Sequence, residues 1–275
     1  MPVISTNNAA NAALNYLNLN ASQETDKISQ LASGSRIVQA MDDAAGLAIG
    51  TQLQANVTVY QEDSVSISQG SSILQSSDGA LAQISNVLQR MMALATESAS
   101  GQVTNRQRTQ DINTEYSQLS KEIGTIVNST TYAGQALLTG SFLSNVKFLI
   151  GTQSSTFITL SLATVSAAGL LGTTGSTVST ASMALSAISK VGSAINTITQ
   201  DRALVGAYES QFSFSSQDIA TNVQNISAAA SVIMDADVAQ VKAGLSANDV
   251  KTQASVAALT QASMLPQELL KLLQA

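Results

Sequence analysis

The sequence predicts a mainly α fold: a long antiparallel, coiled-coil-like helical bundle formed by arms from both ends of the chain, with a small β-hairpin inserted between them. Three observations point there. Apolar residues recur at steps of three and four through both terminal regions, the pattern of helices that pack along a seam. A short alternating stretch interrupts the middle. The interior must also be built from small residues, because aromatic residues make up only 4% and charged residues only 11% of the 275.

The first helix is marked by Leu14, Leu17, Ala21, Ile28 and Leu31, with Glu24 at the missing seam position. Ser33, Gly34 and Ser35 break it. A second seam runs Leu53, Val57, Tyr60, Ser64, Ile67, Ser71, Leu74, Asp78, Leu81, Ser85, Leu88, Met92 and Ala95 with unbroken 4,3 spacing. After a loop around Gly101 to Asn105, Ile112, Tyr116, Leu119, Ile123 and Ile126 form the stripe of a third helix, expected to return antiparallel to the second. Toward the end of the chain, Ile219, Val223, Ile226, Ala230 and Ile233 repeat the pattern. Val238, Val241 and Leu245 continue it beyond Asp235 and Asp237.

The middle has a different period. Val146 to Ile150 and Phe157 to Leu162 are short runs separated by Gly-Thr-Gln-Ser-Ser-Thr, which predicts a β-hairpin near residues 146–162. Residues 169–182 are rich in Gly, Ser and Thr and read as an exposed loop or a disordered segment. Helices, a β insert and helices again require the two ends of the chain to meet.

Composition excludes several chemistries. With neither His nor Cys, a Ser-His-Asp triad, a thiolate nucleophile and a His- or Cys-based zinc site are all ruled out. A formal net charge of −6 opposes phosphate neutralisation, so no nucleic-acid partner is expected. No apolar run is long enough to predict membrane insertion. The first basic residue is Lys27 and no signal-type apolar block precedes it, so export without a cleaved signal peptide is the expectation. No cofactor is implied. Asp42 and Asp43 read as helix-start carboxylates rather than as an acid–base pair.

Ser33-Gly34-Ser35-Arg36-Ile37, followed by Asp42-Asp43-Ala44-Ala45-Gly46-Leu47-Ala48-Ile49, closely resembles the N-terminal signature of bacterial flagellins. The likeness continues through Asn86-Val87-Leu88-Gln89-Arg90, Tyr132-Ala133-Gly134-Gln135 and Leu137-Leu138-Thr139-Gly140. In the C-terminal arm it covers Asn225-Ile226-Ser227-Ala228-Ala229, Asp235-Ala236-Asp237, and Gln261-Ala262 leading to Leu265-Pro266-Gln267-Glu268-Leu269-Leu270. Ser35 and Met41 depart from it, standing where Leu and Lys are frequent.

That resemblance implies a short flagellin without large central surface domains: coiled arms at residues 1–44 and 234–275, and an outer helical domain at 45–233. It implies self-assembly of identical subunits into the extracellular flagellar filament for swimming, with a filament cap, hook-filament junction proteins and an export chaperone as further partners. Leu14, Leu17, Ile28, Leu31, Val238, Val241, Leu245, Leu259, Leu265 and Leu269 are the expected subunit-packing residues. Leu88, Gln89, Arg90 and Leu94 match the segment that a vertebrate innate receptor reads in some flagellins, but Met92 and Ala93 replace its second Arg and its Glu. A hook-filament junction protein, or another secreted helical-arm structural protein, is the alternative; a junction protein is not expected to carry the full Asp42–Ile49 run. An enzyme would need a catalytic constellation that the composition does not offer.

Overall fold

The structure, a computed structural model, describes residues 7–140, 145–153, 155–172 and 177–273, with side chains described through residue 267. In chain order the helices are α1 (Asn8–Ser33), α2 (Ala44–Ala99), α3 (Asn113–Ser129), α4 (Ala167–Leu171), α5 (Ala181–Met234) and α6 (Val238–Leu273). Between α3 and α4 lie four strands, β1 (Thr131–Tyr132), β2 (Gln135–Ala136), β3 (Val146–Leu149) and β4 (Phe157–Leu160). The chain divides into two compact units, one of residues up to Ala55 with those from Asn225 onward, the other of Asn56–Gln224. None of the described helices is long and apolar enough to cross a membrane.

In the terminal unit, α1 starts at Asn7, whose side-chain oxygen accepts from the Ala10 amide at 3.1 Å. It ends at Gly34, which adopts φ 69° and donates its amide to Gln30, a left-handed C-cap that glycine enters without steric cost. The chain beyond Gly34 bridges the turn between α5 and α6: Ser35 pairs with Asp235, Arg36 N donates to Met234 O at 2.6 Å, and Ala236 N donates to Gly34 O at 3.0 Å. Both acidic pairs of the resemblance have structural work in this region. Asp42 accepts from the amides of Val38 and Gln39, Asp43 caps α2 through Gly46 N, and Asp237 caps α6 through Ala239 N and Gln240 N.

The second unit holds the hydrophobic core. Every α2 seam position named above from Val57 to Ala95 is buried or half-buried. A further line that the apolar pattern hides is also buried, at every seventh residue: Asp63, Gly70, Ser77, Ile84, Met91 and Ser98. Within that line Gly70 leaves room for large side chains from elsewhere. Phe212 of α5 stacks edge-on against Phe148 of β3 with ring centroids 5.1 Å apart, and both rings sit over Gly70. On α5 the buried positions step Ala184, Ala187, Val191, Ala194, Ile198, Asp201, Val205 and Phe212, so this helix begins far ahead of Ile219, where its sequence pattern first becomes apparent.

The expected hairpin is present, with β3 and β4 antiparallel and Val146 opposite Leu160. A second, shorter one joins β1 and β2 through Ala133 (φ 49°) and Gly134 (φ 80°), two positive-φ residues as a type I′ turn requires. The stretch at 169–182 differs from the exposed loop expected of it. Leu171 in α4 and Val178 are buried, and α5 starts at Ala181; residues 173–176 lie outside the described residues. Apolar anchors inside a polar composition account for the difference. Ser98 Oγ holds the same segment by donating to Val178 O at 2.6 Å.

Candidate assembly surface

Helices α1 and α6 run antiparallel through a seam whose outer layers are small or aliphatic and whose centre is polar. On α1 a line of half-buried positions at unbroken 3,4 spacing runs Ala10, Ala13, Leu17, Asn20, Glu24, Lys27 and Leu31. On α6 the facing line is Val241, Leu245, Asn248, Thr252, Ser255, Leu259 and Ala262, of which Val241, Asn248 and Ala262 are buried. Across this seam Asn20 Nδ2 donates to Ser255 Oγ at 2.9 Å, Thr252 Oγ1 donates to a Glu24 carboxylate oxygen at 3.2 Å, and Asn7 Nδ2 donates to Ala262 O at 2.6 Å. No residue of α1 is fully buried.

This corrects the seam expected for α1. Leu17 and Leu31 lie in it, but Leu14, Ala21 and Ile28 fall one position to the side and face outward. Their apolar character is therefore not used inside this pair. Tyr16 is 65% exposed, and Leu19, Val238, Val250, Val256, Met264 and Leu265 are exposed as well. Of the expected packing residues, then, Leu17, Leu31, Val241, Leu245 and Leu259 line the intrachain seam. Leu14, Ile28, Val238 and Leu265 stay uncovered, and the side chain of Leu269 lies outside the described residues. All of these uncovered apolar residues lie on one or other of the two paired arms, α1 and α6.

The receptor-like segment divides in a similar way. Leu88 and Leu94 are core residues, 0% and 2% exposed, whereas Gln89 and Arg90 point outward. Arg90 is paired with Glu115 of α3 at 2.6 Å. Met92 is half-buried and approaches Gly192 of α5.

Three buried charged residues were not legible as such. Arg108 lies in a π-helical turn (Gln107–Ile112) ahead of α3, and its guanidinium donates to the carbonyls of Ser98 (2.7 Å), Ser100 (3.1 Å) and Val103 (3.4 Å) and to Asn105 Oδ1 (3.0 Å). It thereby satisfies carbonyls where α2 ends, and places a cation at the negative end of that helix's dipole. Asp63 and Asp201 each keep one buried oxygen without a hydrogen-bond partner. Burial pushes both carboxyls above their ordinary range, opposed at Asp63 by a hydrogen bond from the Gly151 backbone. Burial also pushes the Tyr116 hydroxyl up to about 12. On the exposed flank, Asp78 binds Arg202 at 2.8 Å and raises its pKa through that hydrogen bond and its charge. Among the described residues no group of His, Cys, Asp and Glu could hold a metal ion.

Two family descriptions match the chain in its order. Residues 4–142 match the bacterial flagellin N-terminal helical region and residues 188–273 the bacterial flagellin C-terminal helical region. The chain belongs to the bacterial flagellin family. A flagellar filament 30.7 kDa core protein of Treponema maltophilum is 32% identical over 98% of this chain and 99% of its own length. The flagellin of Bacillus subtilis (strain 168) is 30% identical over 98% of this chain and 99% of its own. Among solved structures, the crystal structure of Bacillus cereus flagellin matches with a TM-score of 0.50 and 27% identity, covering 59% of this chain and 93% of that one. The family regions cover α1 to β2 and most of α5 with α6, and the β3–β4 hairpin and α4 lie between them.

Proposed function

We infer that the chain is the structural subunit of a bacterial flagellar filament, an extracellular polymer of identical copies that serves swimming motility. The observation that carries this reading is the match of both flagellin helical regions to a chain whose paired terminal helices leave Leu14, Tyr16, Ile28, Val256 and Leu265 uncovered. A role in holding copies together explains why such residues are exposed. The reading assigns no catalysis to the chain.

The arms at residues 1–44 and 234–275 are the polymerising elements in this reading, and 45–233 the outer domain. Export without a cleaved leader, an export chaperone, the hook-filament junction proteins and a filament cap belong to it as partners and route. Negative-stain microscopy of the purified full-length chain tests it: long helical filaments are expected, and a chain lacking Leu265 to Ala275 should form none while keeping its second unit folded. Capped stubs or monomers from the full chain, or undiminished filaments from the truncated one, would count against it.

The segment Leu88–Leu94 is proposed to bind an innate receptor weakly. Gln89 and Arg90 are its outward groups, whereas Met92 and Ala93 supply neither the charge nor the planar donors of an Arg and Glu pair. Met92→Arg combined with Ala93→Glu should raise monomer signalling in receptor-reporter cells, and an unchanged response removes the idea.

A further inference from the structure

On the buried line of α2 the two serines are satisfied: Ser77 Oγ donates to Ile73 O at 2.9 Å and Ser98 Oγ donates to Val178 O at 2.6 Å. Asp63 is the exception. It is 4% exposed, and its Oδ2 is buried without a hydrogen-bond partner. The carboxyl reaches the β3–β4 hairpin, where it accepts from the Gly151 backbone amide. Gly151 is itself buried and stands in the turn that Ile150 N closes by donating to Thr156 O at 3.0 Å. The rest of the hairpin is seated by apolar contacts, with Ile158 and Leu160 buried and Phe148 lying over Gly70 and meeting Phe212 edge-on. One part of the hairpin is therefore held by packing that is indifferent to protons. The turn end is held by a group that titrates.

The titratable side chains near Asp63 on the surrounding elements are Tyr60 and Glu62 on α2, Lys147 on β3, and Tyr208, Glu209 and Asp218 on α5; β4 carries none. Lys147, the one base in this set, is exposed and lies over the Phe157 ring at 4.4 Å. Among the described residues the ion pairs are Arg90–Glu115 and Arg202–Asp78, so an ionised Asp63 has no paired cation. A buried carboxylate with one amide donor is left with lone pairs that water would satisfy, whereas the neutral acid carries no charge into the apolar site. We propose that Asp63 is a proton-operated latch: as the neutral acid it seats the turn end of the hairpin on α2, and as the carboxylate it favours release of that end to water while Phe148 stays packed. The direction follows from burial, which holds the Asp63 pKa above the ordinary 3.8 against the opposing hydrogen bond from Gly151. Seating is then complete below the ordinary value, weakens as pH rises through the interval to the folded value, and stays weaker above it. Leu149 and Phe157 are exposed on the same hairpin, so the latch sets how firmly these side chains are held in place. It operates within a single chain and does not depend on the filament reading.

Hydrogen exchange of the full-length monomer, read by mass spectrometry at about pH 7 and about pH 4, tests the latch. Asp63→Asn is compared with the parent at each pH, so that intrinsic exchange rates cancel. The amide keeps an oxygen to accept from Gly151 and cannot ionise. Peptides from β3 and β4 are expected to exchange severalfold more slowly in the variant at the higher pH, and the gap should close at the lower one. Peptides from α3 should exchange alike in both proteins. An equal gap at both pH values, no slowing at the higher pH, or slowing that extends equally to α3 would overturn the proposal, the last by placing the effect in unfolding of the whole unit. A second measurement needs no variant: in the NMR spectrum of the parent, the Gly151 amide should shift in step with the Asp63 carboxyl carbon as pH is varied. A Gly151 amide that stays still while that carboxyl titrates would sink the latch, as would a carboxyl that titrates at or below its ordinary value.

Discussion

Asn7 makes good a hydrogen bond that Pro266 cannot form. In a continuous helix the Ala262 carbonyl would accept from the amide of residue 266, but Pro266 has none and stands inside α6. Asn7 Nδ2 takes that carbonyl at 2.6 Å while its Oδ1 caps α1 through Ala10 N. One side chain thus serves the start of one arm and the interruption of the other.

Asn7→Ala should accordingly cost more in the parent than in a Pro266→Ala background, where the amide of residue 266 satisfies Ala262. The cap accounts for about 1 kcal/mol in both backgrounds, and the stranded carbonyl adds about 1 kcal/mol in the parent alone. A double-mutant cycle on the thermal unfolding of the terminal unit measures the difference. Additive effects would show that Asn7 and Pro266 are uncoupled.

Arg108→Met should destabilise the second unit by about 3 kcal/mol, because methionine fills space but leaves the carbonyls of Ser98, Ser100 and Val103 without their charged donor. Urea unfolding followed by helical circular dichroism checks it, with Arg106→Met as the exposed control. Equal midpoints for the two variants would contradict the capping role.

Ala133 occupies a left-handed conformation at φ 49° in the β1–β2 turn, where a Cβ is unfavourable by about 1 kcal/mol. Asn tolerates that region through local hydrogen bonding and Gly has no Cβ to clash. Ala133→Asn should therefore raise the unfolding temperature of the second unit, with a smaller gain for Ala133→Gly because the unfolded chain also gains freedom. A fall in stability for both would show that the turn is held by something other than its backbone preference.

How far the fold can be read from the sequence depended on the contrast between apolar and polar positions. The α2 seam and the Val146–Leu160 pairing stand out because large apolar residues alternate with polar ones at a clean period. On α1 the same reasoning selected Leu14 and Ile28, since nothing in a single sequence reveals that Asn20 and Glu24 will find Ser255 and Thr252 across the seam. Polar residues at such positions trade stability for a fixed register, so hydrophobicity points away from them. The first half of α5 was hidden for a related reason: Ala184, Ala187 and Ala194 are buried but barely differ in hydropathy from the Ser and Thr around them. Arg108 shows the limit most clearly, as its burial follows from where α2 ends rather than from any local motif. The outward set on the arms was only partly legible, because inward and outward positions there are both apolar.

Asp201 makes the stability of the second unit depend on pH in a direction opposite to that of a paired carboxylate. It occupies a seam position of α5 among Ile198 and Val205, is 9% exposed, and keeps one oxygen unpartnered. Desolvation raises its pKa above the ordinary value of 3.8. The folded state then binds this proton more tightly than the unfolded chain does. Stability from this group is fully present below the unfolded value, falls as pH rises through the interval up to the folded value, and stays reduced above it. Asp63 acts in the same direction, partly offset by Gly151. Asp201→Asn removes the titration while keeping shape, so the variant should gain unfolding temperature relative to the parent at pH 7 and lose that advantage near pH 3. Comparing the difference between the two proteins at each pH cancels the carboxylates they share. Calorimetry at the two values decides it: an advantage that is the same at both would mean that the Asp201 carboxyl titrates alike in folded and unfolded chains.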